Sequence, residues 1–440
     1  MSKKHLERFN ELFEGNELGR FFFGSNQSFD LSEINILYTS VDTVRQLYKM
    51  HLDPVFVEKL DLTMEQDGFH VRIVELNGYE FVLKRGGASG YKYILQNNEW
   101  GLTVLVKHQK TKSECSGSHL KIEVSPKLIS EHSGESLNLL MDNIADLIAL
   151  DSNYQRHAVA PHLAIDFQGW EPPAGFDQKL TCRSRRVALR NGISQLQLDT
   201  DICSVYGRGQ SFTFGAANSL QMALYNKSEE AKSSDKLDYF KHCWSRKKDS
   251  SENPVYDPDK PVWRLELRFH HSVIRQFSDM NVSAPVDERD EEGNVTKYSD
   301  LDINRLNSYE SLIPHLGGLW AYALNNFRYD LNSRYIHPVW TVFMTESGFD
   351  QFQHDFVYRR KYKTAGLGNE KNIAIALGNM ISIFARNKIS AGKAHHFIKK
   401  SGIYNDILSY FRSRGMDRAD VFRFIENGLI QRRLTSKLAA

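Results

Sequence analysis

Leu220-Gln-Met-Ala-Leu-Tyr-Asn-Lys227 and Val262-Trp-Arg-Leu-Glu-Leu-Arg-Phe-His270 alternate apolar and polar residues, and a strand sends successive side chains to opposite faces. In the second stretch Trp263, Leu265, Leu267 and Phe269 therefore share one face, and Arg264, Glu266, Arg268 and His270 share the other. In the first, Leu220, Met222 and Leu224 form the packing side and leave Gln221, Tyr225 and Lys227 opposite. A third stretch, Pro161-His-Leu-Ala-Ile-Asp-Phe167, places Leu163, Ile165 and Phe167 on one side and Asp166 on the other. If the three share a sheet, Asp166, Tyr225, Lys227, Glu266 and the flanking arginines meet on one surface. Carboxylates, a phenol and cations are together the groups that phosphodiester cleavage requires.

Working outward, residues 1–60 read as a short amphipathic helix, then a strand around Ile34–Tyr38 that passes into a helix through Ser40-Val-Asp-Thr-Val-Arg-Gln-Leu. Residues 69–125 are strand-rich, with hairpin-like segments at Phe69–Leu76, Tyr79–Lys84, Tyr91–Leu95, Gly101–His108 and Leu120–Val124 separated by Gly, Asn and Ser. Ser136–Leu150 has helical periodicity. Sheet and helix alternate irregularly, which predicts an α+β fold with a mainly antiparallel sheet and flanking helices. The polar segment Ser278–Asp302, with its acidic run from Asp287 to Glu292, reads as a boundary between a catalytic domain (1–290) and an all-helical carboxyl domain (291–440). Helices are expected there at Leu306–Asn325, Asn372–Arg386, Ser390–Lys400, Ile403–Arg414 and Arg418–Leu429.

A chain of 440 residues, 41% hydrophobic and 25% charged, suggests two or three domains of a soluble protein. No apolar run approaches the roughly 20 residues of a membrane helix, and the polar start carries no leader, so the expectation is cytoplasmic, without a membrane partner. Cys115, Cys182, Cys203 and Cys243 fit neither a zinc-ligand spacing nor a disulfide framework. The net charge of +2 conceals an asymmetry: residues 357–440 hold 17 Lys or Arg against 5 Asp or Glu, a net of +12. Arg359, Arg360, Lys361, Lys399 and Lys400 are interleaved there with aromatic residues, a pattern suited to nucleic-acid phosphates. Solvated helix faces are the bland alternative. Arg183, Arg185 and Arg186 form a second basic cluster, readable as a strand-tracking groove or as a solvated hairpin.

Phe212-Thr-Phe-Gly-Ala-Ala-Asn-Ser219, followed by Ala223-Leu-Tyr-Asn-Lys227 and Glu229-Glu230, resembles the signature of rolling-circle replication initiators of the Rep_trans type, found on plasmids and filamentous phages. Trp263-Arg-Leu-Glu266 resembles that family's Arg-x-Glu strand, and Leu163-Ala-Ile-Asp166 its earlier strand ending in Asp. The likeness covers roughly Ile34–Phe277. Members commonly carry a basic residue two positions before the tyrosine, where this chain has Ala223, and Arg208 and Arg268 are the candidate substitutes.

The resemblance implies that Tyr225 attacks a DNA phosphodiester with Lys227 assisting. It implies also that Asp166, Glu266 and Glu230 hold a divalent metal, Mg²⁺ or Mn²⁺. A phenol has an ordinary pKa near 10, so attack at neutral pH needs such help. Arg208, Arg264 and Arg268 are the DNA-contacting candidates beside that centre. Origin DNA, duplex and single-stranded, is the implied partner, with a host helicase and a second copy of the chain as further candidates. A non-catalytic DNA-binding replicon regulator on the same scaffold is the alternative from another class, and a plain metal-dependent nuclease is a third. His270-His271 and His395-His396 are adjacent pairs; within a strand neighbours point to opposite faces, and in the helix expected at Ser390–Lys400 the second pair is about 100° apart around the axis, which disfavours nucleases built on a His-hydrophobic-His strand. The terminal Leu438-Ala-Ala440 resembles a bacterial degradation tag.

Overall fold

The computed structural model describes residues 10–12, 21–24, 27–65, 71–86, 90–107, 118–182, 187–189, 211–277, 282–285, 298–300, 306–349, 357–358, 370–412 and 416–435. An eleven-stranded, wholly antiparallel sheet organises residues 35–269. Its strands are β1 (Asn35–Leu52), β2 (Ile73–Leu76), β3 (Tyr79–Arg85), β4 (Tyr93–Asn97), β5 (Leu102–Val106), β6 (Leu120–Val124), β7 (Ala149–Gln168), β8 (Val187–Leu189), β9 (Ser211–Gly215), β10 (Leu220–Asn226) and β11 (Trp263–Phe269). Their spatial order is β8-β9-β10-β11-β7-β1-β6-β5-β4-β3-β2. The fold class is thus α+β, as the alternation predicts.

Local chemistry explains the tight connections. Asn77 and Gly78 both take positive φ, 56° and 76°, the geometry that joins β2 to β3 through two residues without splaying the strands. Gly215 sits at φ 93°, and a Cβ there would lie 2.3 Å from the Leu220 carbonyl oxygen, so only glycine lets β9 meet β10 so closely.

One reading of the sequence is corrected here. Ser40–Leu47 is not a helix but the middle of β1, an 18-residue strand. Its β-branched Val41, Thr43 and Val44 suit a pleated surface, and β6 and β7 bond it from both sides. At the amino end, residues 1–9 lie outside the described residues, and Asn10–Leu12 pairs with Phe21–Gly24 as a strand.

The apolar sheet face is closed by α1 (Gly134–Ile148), α4 (His271–Phe277), α5 (Leu316–Asn326) and α6 (Pro338–Thr345), whose Met141, Ile274, Trp320 and Phe343 join Leu163, Ile165, Leu265 and Leu267 in one core. The chain divides into compact units at Met1–Arg360 and Lys361–Ala440. The polar segment near 290 is therefore not where the compact units part, because α5 and α6, which follow it, complete the core of the sheet. The second unit comprises α7 (Glu370–Arg386), α8 (Ala391–Lys400), α9 (Tyr404–Arg412) and α10 (Arg418–Thr435) around its own core of Leu377, Ile381, Ile398, Ile407, Phe411 and Ile425. No helix among the described residues is long and apolar enough to cross a membrane.

His337 caps α6: its Nδ1 accepts from the Val339 amide at 3.2 Å, and its ring stacks on Tyr329 with centroids 4.7 Å apart. Burial, with Lys179 nearby, lowers its pKa to about 4. The folded state then binds fewer protons than the unfolded chain between about pH 4 and the ordinary histidine value near 6.5. Its contribution to stability is complete above pH 6.5 and lost as pH falls towards 4, a change of order 3 kcal/mol at most. His337→Asn keeps a capping acceptor and removes the titration, so urea midpoints of this variant should fall less between pH 7 and 4 than those of the wild type.

Candidate functional site

Register decides which side chains meet. Arg264 on β11 lies opposite Asp166 on β7 and Tyr225 on β10; Glu266 lies opposite Ala164 and Ala223; Arg268 lies opposite His162 and Gln221. Directly opposed residues share a face, so β7, β10 and β11 bring Asp166, Tyr225, Arg264, Glu266, Arg268 and His162 together. The two alanines beside Glu266 leave it room on both flanks. β1 adds Asp42 through a bulge: Leu163 pairs with Val41 and His162 with Thr43, which leaves Asp42 as the extra residue between them. A bulge re-aims a side chain, and this one turns Asp42 towards Arg264.

Arg264, fully buried, is the hub. Its Nε and Nη2 donate to the two oxygens of Asp166 at 2.6 and 2.8 Å, and its Nη1 donates to Asp42. Trp244 Nε1, at the end of α3 (Leu237–Trp244), donates to the second Asp166 oxygen at 2.8 Å. Asp166 is itself fully buried, and both of its oxygens are bonded. Asp166, expected as a metal ligand, here anchors a guanidinium and stands apart from the cation-ligand group described below. Arg264, with no exposed surface, likewise does not contact DNA from this position.

Glu266 is the second focus. Arg268 donates to its two oxygens from Nε at 2.8 Å and Nη2 at 2.7 Å; His162 Nδ1 lies 3.1 Å from Oε1, and the Tyr225 hydroxyl donates to Oε2 at 3.3 Å. Burial works to raise the Glu266 carboxyl, but the charge and hydrogen bonds of Arg268, aided by His162, outweigh it and hold the group well below the usual carboxylate range. Burial and the Glu266 carboxylate push the Tyr225 phenol well above its ordinary 10, so the hydroxyl keeps its proton in this state. Arg268 remains partly exposed, and its Nη1 donates to Gln221 at 3.3 Å.

Lys227 opens α2 (Lys227–Ser233), and Asn226 caps that helix by accepting from the Glu229 amide. The Lys227 ammonium donates to Glu230, lies 4.1 Å from the centre of the Phe240 ring and 5.9 Å from that of Tyr225. Burial and the nearby Arg264 charge lower its pKa. Glu230, also expected in the metal set, is engaged with Lys227 and lies outside the group at Glu266.

Among the described residues, the group able to hold a cation is Asp42, His162 and Glu266, whose ligand atoms all lie within 4.8 Å of one another. Two oxygens and an imidazole nitrogen suit a divalent first-row ion. His162 was within reach of the same alternation that exposes Asp166, since residues 162, 164 and 166 share a face. Asp42 was not, because a bulge breaks the period of two.

Of the expected DNA contacts, Lys399 and Lys400 are exposed at the end of α8, while Arg183, Arg185, Arg186, Arg208, Arg359, Arg360 and Lys361 lie outside the described residues, as does the Leu438–Ala440 tail. The His270 and His271 rings are 3.9 Å apart rather than on opposite faces, because β11 ends at Phe269 and His271 begins α4.

Removing the hub should leave buried charge uncompensated, at a cost of about 3–5 kcal/mol. Arg264→Met should lower the unfolding free energy in urea by that amount, and adding Asp166→Leu should recover part of it. A single-variant loss below about 1 kcal/mol would show that the fork carries little.

No family model matches the chain. It is 36% identical over 418 residues to the uncharacterized protein ORF430 of Pseudomonas phage Pf1, an alignment that covers 93% of this chain and 91% of that one. At that identity and coverage, the chain belongs to the same family as the Pf1 ORF430 protein.

Proposed function

We propose that the protein is a metal-dependent DNA nicking and joining enzyme that starts rolling-circle replication, with Tyr225 as nucleophile. The observation that carries this reading is a tyrosine hydroxyl 3.3 Å from a buried glutamate that belongs, with Asp42 and His162, to a group of cation-ligand size. The resemblance of its motifs to those of Rep_trans initiators supports the same reading.

Burial and Glu266 hold the phenol protonated, so the centre needs added positive charge before it can attack. A divalent ion at Asp42, His162 and Glu266 would supply that charge and polarise the scissile phosphate. With one imidazole among the ligands, Mn²⁺ suits the set better than Mg²⁺. Arg268, partly exposed, can turn from Glu266 to the phosphate. Tyr225 gives its proton to solvent as its oxygen bonds to phosphorus. The bond to the 3′ oxygen breaks, and that oxygen takes a proton from water. The product is a 5′-phosphotyrosyl ester and a free 3′-hydroxyl. The ester keeps the energy of the broken link, so the reverse attack rejoins the strand without ATP. Lys227, fixed by Glu230 and Phe240, positions the Tyr225 ring.

Incubation with supercoiled replicon DNA and Mn²⁺ should give nicked circles and a covalent adduct that survives detergent. Tyr225→Phe should abolish both, leaving DNA binding within about twofold, because it removes one oxygen and no charge. Nicking without an adduct would favour a plain nuclease. Binding without nicking would favour a non-catalytic replicon regulator, which could use the exposed Lys399 and Lys400.

A further inference from the structure

The polar face continues past Glu266 over β7, β1 and β6. Arg45 on β1 lies opposite Ala160 on β7 and Glu123 on β6, two residues along from the row that holds His162 and Arg268. Arg45 Nε and Lys121 Nζ both approach Glu123 Oε1, at 3.1 and 2.6 Å. Lys121 and Lys107 lie over one ring, that of Tyr91, at 5.4 and 6.0 Å from its centre. Three cations thus gather about one carboxylate and one ring, and the Arg45 and Lys121 side chains stay 37% and 20% exposed. The excess charge reaches its neighbours: burial, with Arg45 and Lys121 nearby, lowers the pKa of His270. Tyr225 and Lys121 are four strand spacings of about 4.8 Å apart across the sheet and, because Tyr225 is level with Asp166 and Lys121 with Ala158, about eight residues apart along the strands, roughly 32 Å in all. A single phosphate or nucleotide does not span that distance, whereas consecutive phosphates of an extended strand do. A duplex, with its backbone fixed on a wide cylinder, does not follow a path across several levels of the sheet that ends at a half-buried hydroxyl.

We propose that Arg45, Lys107 and Lys121 carry successive phosphates of the single DNA strand whose scissile phosphate lies at Tyr225, a track that rests on the nicking function proposed above. Its test is fluorescence anisotropy of labelled oligothymidylate with the full-length protein over a range of salt. For a single strand, every phosphate that is no longer neutralised lowers the slope of log affinity against log salt by about 0.7. Arg45→Gln with Lys121→Gln should therefore flatten the slope by about 1.4 and weaken binding at low salt about tenfold or more. Glu123→Gln should tighten binding, because it releases two cations, an outcome that a merely structural role of this cluster does not produce. If the double variant misfolds, Lys107→Gln tests the track at one phosphate, with a slope change of about 0.7. Unchanged slopes in these variants, or no tightening in Glu123→Gln, would overturn the track. The nicking function fails separately: it falls if Tyr225→Phe still nicks, whatever the slopes do.

Discussion

A guanidinium with no exposed surface, gripping Asp166 with one edge and Asp42 with another nitrogen, is the constraint on which the polar face depends. Burying Arg264 and Asp166, with Asp42 largely covered beside them, is costly unless the charges are mutually satisfied, and here Trp244 bonds Asp166 as well. The fork therefore has one good arrangement, and it ties β1, β7, β11 and α3 together. Asp42, supplied by a bulge, is held where it can act with His162 and Glu266. The proposed chemistry lies beside the fork: Tyr225 stands opposite Arg264, Glu266 and Arg268 follow along β11, and Arg268 and Tyr225 retain some exposure.

Division of labour between the fork and the groups beside it follows from burial. Asp166 and Arg264 have saturated partners and no access to solvent, which suits anchoring. Glu266 is also buried, but its partners include the end of a partly exposed arginine and a phenol. Of the two carboxylates, only Glu266 can exchange a partner without unlocking the sheet. This separates residues that a motif alone treats as equals.

The alternation in 220–227 and 262–270 made the sheet and its polar face legible, because a period of two survives wherever pairing is regular. Helices α1, α7, α8, α9 and α10 were legible for the same reason at a period of 3.6. The middle of β1 was not: Ser40-Val-Asp-Thr reads locally as a helix start, and its extended form is imposed by β6 and β7, which are distant in sequence. Asp42 and its role were hidden by the bulge. Roles were harder still. Asp166 and Glu266 lie on one face with arginines beside them, and only register tells which carboxylate Arg264 grips from both sides.

The central claim is that Asp42, His162 and Glu266 hold one divalent cation beside Tyr225 while Asp166 stays in its fork. Pulsed electron paramagnetic resonance of the full-length protein loaded with Mn²⁺ tests it most directly, since a coordinated imidazole nitrogen couples to the metal's electron spin. One such coupling is expected in the wild type, with its loss in His162→Gln and its persistence in Tyr225→Phe. No nitrogen coupling in the wild type, or one that survives His162→Gln, would contradict the claim.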